Sequence, residues 1–171
     1  MLAHSVVGAA TARAVAVGAV PIPFSDALIL GPIEIGEVNI LAHLYEIKND
    51  KAAKQFSDSI IEVGTVSAAA KAAICALKAF PCINLGTTVL NAVIAGSIVA
   101  ARGEGSIYAF EQVFLEKKTV EDIDWVKKVM ESKLNSSFIE KVTYMLQKNV
   151  REIDLATVAK IITETFSVAG S

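Results

Sequence analysis

Three side chains that bind metals or transfer protons fall close together in the sequence. Glu34, Glu37 and His43 share one predicted helix. Carboxylate metal sites on helices use glutamate and histidine three residues apart. Here no Glu-x-x-His spacing occurs, and Glu34 and His43 fall on nearly opposite helix faces. The pattern therefore predicts solvated or locally paired side chains rather than a metal site.

Residues for covalent or cofactor chemistry are also few. His4 lies in a terminus expected to fray, which leaves His43 as a general base. Cys75 and Cys82 stand in an apolar stretch without a second pair, which predicts two buried thiols in a reducing compartment. The chain contains neither the phosphate-binding Gly-x-x-x-x-Gly-Lys loop nor the dinucleotide-binding Gly-x-Gly-x-x-Gly motif. We therefore expect no cofactor and no enzymatic activity; an unrecognised enzyme built around His43 or Asp26 is the weaker alternative.

Three residues are candidates for contact with a partner. Phe24 and Asp26 belong to the proline-rich segment 21–26, between two apolar helices. Asp26 is interpreted as a helix N-cap or as a charged contact on an exposed hairpin tip. Trp125 lies beside an apolar stripe, so it either packs at the edge of the core or anchors a partner.

Composition narrows the class of protein. Apolar residues make up 53% of the chain, charged residues 20%, and the mean hydropathy is +0.51. Such a chain buries much of its surface between helices or leaves apolar surface for a membrane or partner. The net charge of -2 offers no basic stripe, so nucleic acid is not an expected partner. The first residues resemble no signal peptide, which predicts a cytoplasmic protein, either free or attached peripherally or integrally to the inner membrane.

Proline and glycine signals predict an all-α bundle of about six to eight helices, with no sheet. Residues 1–115 form an Ala/Gly-rich body of two proline-tipped hairpins, and residues 116–171 form a charged amphipathic tail packed on it as one domain. Arg102 to Ser106 is expected to break or bend a helix, and Thr119 to begin the tail. Asp50 and Asp154 are candidate N-caps of the helices that follow them. The predicted helices of the body cover 5–20, 25–47, 51–79, 84–101 and 107–116.

Small residues four positions apart form ridges along which a partner helix can approach closely. Segments offset by 60 residues also match, with Gly8 opposite Ala68, Pro21 opposite Pro81 and Gly36 opposite Gly96, which suggests an internal repeat. The same ridges would serve homodimerisation. The predicted ridges are Gly8, Ala12 and Ala16; Ala68, Ala72 and Ala76; and Ala92, Gly96 and Ala100.

The run from Ala79 to Ala101 contains no Asp, Glu, Lys or Arg and is long enough for a membrane span. Pro81 and the amide side chains in this run favour a buried hairpin instead, because amides need hydrogen-bond partners in hydrocarbon. A membrane-inserting hairpin is therefore the alternative interpretation.

The segment 19–27 (AVPIPFSDA), followed by 32–35 (PIEI) and Leu44-Tyr45, resembles a widespread bacterial and eukaryotic helical family. That family is an uncharacterised domain found C-terminal to small Era-like or dynamin-like GTPase domains. Residues 80–108, from Phe80-Pro81 to Tyr108, are similar to its second block. The resemblance implies an all-α accessory domain, encoded with a GTPase and in some members associated with membranes. Two departures stand out: Glu34 occupies a position where many members carry an amide, and no GTPase motif occurs in this sequence.

The leading hypothesis from the sequence is a non-enzymatic helical domain that couples a GTPase, in the same or another chain, to a partner or to membrane lipid.

Overall fold

A computed structural model describes residues 2–20, 25–66, 87–131 and 154–167 of the chain. Every regular element in these ranges is an α-helix, which confirms the predicted all-α bundle. The described helices are α1 (Leu2–Gly18), α2 (Ser25–Leu44), α3 (Lys51–Val66), α4 (Thr87–Phe114), α5 (residues 123–131) and α6 (Leu155–Ser167).

Aspartates set the beginnings of three helices. The Asp50 carboxylate accepts a hydrogen bond from the Ala53 amide at 2.9 Å, so Asp50 is the predicted N-cap of α3. Asp154 caps α6 as predicted, and hydrogen bonds from the amide and hydroxyl of Thr157 hold its pKa below the usual value. The prediction for the tail was wrong by a few residues, because Asp122, rather than Thr119, precedes and caps α5.

Two glutamates end their helices in the left-handed region. Glu46 has φ 54°, and the next amide, that of Ile47, donates to the carbonyl of Ala42 at 3.0 Å. Glu116 has φ 55°, and the next amide, that of Lys117, donates to the carbonyl of Gln112 in α4 at 3.0 Å. Glycine usually occupies this position because its missing Cβ avoids a steric penalty. The turn at Glu46 ends α2 at Leu44, three residues before the predicted end.

Helix α4 lies at the centre of the described bundle and runs without interruption from Thr87 to Phe114. Of the two alternatives predicted for 102–106, a break or a bend, the break is therefore wrong. A Cβ at Gly105 would lie 2.8 Å from the Met130 sulfur, so a glycine here makes room for α5. Burial of α4 between its neighbours explains why residues 91–101 carry no charge. No helix in the described ranges is long and apolar enough to cross a membrane.

Helix α1 packs closely along α4, but not by the predicted ridge. Ala12 and Ala16 are exposed. The small residues that face α4 are neighbours in the same helix, such as Ala14, which is fully buried, and Gly18, where a Cβ would lie 2.7 Å from the Ala95 methyl group. Helix α1 carries small residues on most of its faces, so a spacing of four residues does not identify which face is buried.

The predicted ridge of α4 is buried, and its centre is the tightest point of the bundle. A Cβ on Gly96 would lie 2.5 Å from Val15 Cγ2 in α1 and 2.9 Å from Ile162 Cδ1 in α6. Gly36, its counterpart in the suggested repeat, has no atom within 4 Å of such a Cβ, so the two glycines have different roles. The other ridge, Ala68, Ala72 and Ala76, lies outside the described residues.

The described part of the C-terminal tail packs on the body. Helix α6 contributes to one apolar cluster with α1 and α4, and α5 joins α2, α3 and the C-terminal half of α4 in another. The fully buried aromatic residues Phe56 and Phe110 lie in the second cluster, with ring centroids 6.0 Å apart.

Candidate functional site

A buried charge cluster lies where α2 meets α4, and it consists of Glu34, Glu37 and Arg102. The two glutamates lie one turn apart on the buried face of α2, and both are less than 4% exposed. Arg102 comes from α4 and is completely buried. Its Nη1 lies 2.5 Å from Glu34 Oε2, which makes an ion pair by distance, although the angles are not those of a hydrogen bond. Of the two states predicted for the glutamates, solvated or locally paired, solvation is therefore wrong, and Glu34 is paired with an arginine from another helix.

Glu37 is the unpaired member of the cluster. Neither of its carboxyl oxygens has a hydrogen-bond partner among the described residues. Burial raises the pKa of Glu37 well above its usual value; Arg102 opposes this shift, and the negative charges of Glu34 and Glu104 reinforce it. One arginine can neutralise one carboxylate, so we assign the proton of the cluster to Glu37.

Gly103 provides the space in which the Glu37 carboxyl group lies. A Cβ at Gly103 would collide with Glu37 Oε1, and it would also lie 2.6 Å from Val7 Cγ2 in α1. The glycine that seemed to break the helix therefore lets three helices converge on the acidic group. Its neighbours Arg102 and Glu104 are held at defined positions by the same continuous helix.

The edge of the cluster reaches the protein surface through Glu104 and His4. Glu104 Oε1 lies 2.9 Å from His4 Nδ1, and the two side chains are 13% and 48% exposed. His4 is thus held within α1 rather than in a frayed terminus. The arrangement can hold, release or exchange a proton in the core. The described residues contain no group of three or more metal-ligating side chains placed to hold a metal ion.

A groove between α2 and α3 is the second candidate site, and it opens on the side of α2 opposite the charge cluster. Its volume is about 730 Å³. Apolar positions form its floor, and polar side chains rim it. Ile35 lines the groove and is 46% exposed. Its lining includes Ile35, Asn39, Ala42, His43, Ile47, Ala53, Lys54, Asp58 and Ile61.

Of the three residues predicted to contact a partner, Trp125 alone has a described side chain. Asp26 lies in the first turn of α2, where its side chain is outside the description, and Phe24 lies outside the described residues altogether. Trp125 is half-buried, with its ring centroid 6.4 Å from that of Tyr108 and 5.1 Å from the Lys118 ammonium group. Trp125 thus packs at the edge of the core, which is one of the two roles predicted for it. His43 is exposed and lies at the rim of the groove.

The sequence did contain a signal for the charge cluster that pattern analysis missed. Glu34, Glu37, Val38 and Leu41 follow the spacing of a buried helical stripe, and all four are buried. Two glutamates within such a stripe require a buried cation, and Arg102 is the first charged residue after the long uncharged run.

Comparison with protein-family models, curated proteins and solved structures gave no match to this chain.

Proposed function

We propose that this chain is a non-enzymatic helical domain that couples a small GTPase to a partner, and that the groove between α2 and α3 is the surface that binds the GTPase. The resemblance of 19–27 and 32–35 to a GTPase-associated family supports the first part. Those residues lead into α2 and form part of it, and α2 supplies one wall of the groove.

The observation that carries the assignment of the surface is a large exposed apolar side chain, Ile35, in a concave site. A groove between two helices, with an apolar floor and a polar rim, suits an amphipathic helix or a loop with an apolar anchor. Lys48 and Lys54 stand with Asp58 and Glu62 in its lining, so the groove offers ion-pair partners to both acidic and basic side chains on the bound element. Contacts of this kind bind without chemical change, as a non-enzymatic role requires.

Two isoleucines on α2 give a matched test. Ile35 lines the groove and is 46% exposed, whereas Ile40 is 50% exposed and is not among the lining residues. Changing either to lysine alters charge and apolar area equally on one helix, so the two variants differ chiefly in position. Each should fold, because neither side chain belongs to the buried core.

The experiment is affinity purification of the tagged chain from its own cells, followed by quantitative mass spectrometry. The proposal expects a protein with a GTPase domain to be enriched with the wild-type chain and with Ile40→Lys, and lost with Ile35→Lys. Failure to enrich any protein with a GTPase domain would refute the GTPase assignment. Equal enrichment with both lysine variants would refute the groove as the binding surface.

A further inference from the structure

A row of aromatic rings leads from the core to the surface at the end of the bundle where α2 and α4 terminate. Phe56 and Phe110 are fully buried, and their ring centroids lie 6.0 Å apart. The ring of Tyr45 continues the row, 6.4 Å from that of Phe110 and 6.2 Å from that of Phe114. Phe114 is 53% exposed. The buried rings thus support an exposed one, which presents its surface to the surroundings of the protein.

The field around this exposed ring is negative. Glu111 is exposed and lies three residues before Phe114 in α4. Burial raises the pKa of Tyr45, and the negative charges of Glu111 and Glu104 raise it further. Helices α2 and α4 both end here, at Leu44 and Phe114, and the carbonyl end of a helix carries a partial negative charge. The surface therefore suits a cationic group.

The lysines that follow the two helices do not cancel this field. Lys48 follows Glu46 in the turn after α2, and Lys117 follows Glu116 in the turn after α4, so each turn adds one charge of either sign. Lys118 is paired with Asp122. In the described part of the chain, the Glu111 carboxylate forms no ion pair.

The chain itself contains a complete example of a cation held between an aromatic ring and a carboxylate. Lys118 Nζ lies 5.1 Å from the centroid of the Trp125 ring and 3.3 Å from Asp122 Oδ2. Asp122 precedes Trp125 by three residues, as Glu111 precedes Phe114. A cation over an aromatic ring is attracted by the electrons of its face, and a neighbouring carboxylate adds an ion pair. The second arrangement has the ring and the carboxylate without a cation from the described residues.

We propose that Tyr45, Glu111 and Phe114 form a second binding surface, which binds an arginine or lysine side chain of a partner protein. The cationic group pairs with Glu111 and lies over the exposed ring of Phe114. Leu115 is 48% exposed and lies one turn after Glu111 on the same face of α4, where it can contact an apolar residue beside the cation.

The small size of this surface and its charge indicate the kind of partner. Two exposed apolar side chains suit a short segment of a partner rather than a whole domain face. An anionic membrane surface would be repelled by Glu111. None of the residues in this surface lines the groove between α2 and α3. As the contact with the coupled partner, the surface rests on the proposed function, but its binding of a cationic peptide can be measured on the chain alone.

The test is selection of peptides of about 12 residues, displayed on phage, against the immobilised full chain. Counter-selection against Phe114→Ala removes peptides that bind the groove, because that variant leaves the groove residues unchanged. Fluorescence polarisation then measures the affinity of each remaining peptide for the wild type, for Glu111→Lys and for Glu131→Lys. Glu131 is exposed on α5, so its variant is a control with the same change of charge.

The proposal expects the remaining peptides to be enriched in arginine or lysine next to an apolar residue. Glu111→Lys should weaken their binding by about tenfold or more, because like charges then meet at the site. Glu131→Lys should change the affinity by less than about twofold, as is typical of a distant surface charge. Glutamate in place of the cationic residue of the peptide should abolish binding to the wild type and restore binding to Glu111→Lys.

Three results would overturn the proposal: no peptide that distinguishes the wild type from Phe114→Ala, peptides without enrichment of cationic residues, or equal weakening by the two lysine variants. Circular dichroism establishes that each variant is folded. If Phe114→Ala unfolds, Phe114→Leu replaces it in the counter-selection, because leucine removes the ring and keeps an apolar side chain. A negative result would leave GTPase binding by the groove untouched, since no GTPase is present. Conversely, failure to purify a GTPase would leave peptide binding at this surface standing.

Discussion

Alanine substitutions at two glycines provide the sharpest test of how the helices pack. Gly96 lies in the middle of α4 and Gly36 in the middle of α2. In a helix interior, glycine to alanine contributes about 1 kcal/mol of stability through reduced backbone entropy. Gly36→Ala should show this gain in full, because the added methyl group meets no atom within 4 Å.

Gly96→Ala should lose the gain to steric overlap. The new Cβ would stand 2.5 Å from Val15 Cγ2 and 2.9 Å from Ile162 Cδ1, well inside ordinary van der Waals contact. The valine can yield little because its branched side chain is stiff about χ1. Overpacking of this kind costs about 1–3 kcal/mol. The two variants should therefore differ by about 1–3 kcal/mol, with Gly96→Ala the less stable.

Urea unfolding followed by far-ultraviolet circular dichroism measures both free energies of unfolding against the wild type. Both glycines lie inside α-helices, so the comparison cancels helix propensity and isolates the contact between α1, α4 and α6. Equal stabilisation by the two alanines would refute the close approach of these helices at Gly96.

Three further predictions concern charged residues. Glu37 binds its proton more tightly in the folded than in the unfolded chain, so its contribution to stability is full below about pH 4.3 and is lost as pH rises through the folded pKa. Urea unfolding across this pH range should show the loss in the wild type and none in Glu37→Gln. Parallel pH dependence of the two free energies of unfolding would contradict the assignment of the proton. Arg102→Met should lower the free energy of unfolding by about 3–5 kcal/mol because it leaves Glu34 buried and unpaired, and adding Glu34→Leu should restore much of that loss. If the changes in the free energy of unfolding simply add in the double variant, the two side chains do not interact. Glu116→Gly should stabilise the chain by about 1 kcal/mol, because glycine adopts the left-handed conformation at the end of α4 without a steric penalty. Glu111→Gly, inside the same helix, should destabilise the chain by about the same amount. Thermal melts of both variants measure the difference.

Local features of the sequence predicted local features of the fold. Asp50 and Asp154 were recognised as caps because the capping hydrogen bond depends on residues within one turn. The left-handed turns at Glu46 and Glu116 were not recognised, since glutamate is an unusual residue for that conformation. The all-α class followed from the spacing of apolar residues and the positions of prolines.

Long-range contacts explain where the sequence predictions were wrong. Glycines at 103 and 105 weaken a helix locally, but the contacts they allow with α1, α2 and α5 hold α4 continuous. The ion pair between Glu34 and Arg102 joins helices far apart in the chain, and no local spacing specifies it. The groove likewise depends on the tertiary packing of α3 beside α2.

The most direct test of the proposed function is site-specific photo-crosslinking in the source cells, with a photoreactive amino acid in place of Asn39 in the groove or, as a control, in place of exposed Lys160 on α6. If the groove binds a GTPase, we predict an adduct from position 39 whose crosslinked peptide belongs to a GTPase domain, and no such adduct from position 160. An adduct to a GTPase from position 160 alone, or none from position 39, would contradict the groove as the surface through which this domain binds a GTPase.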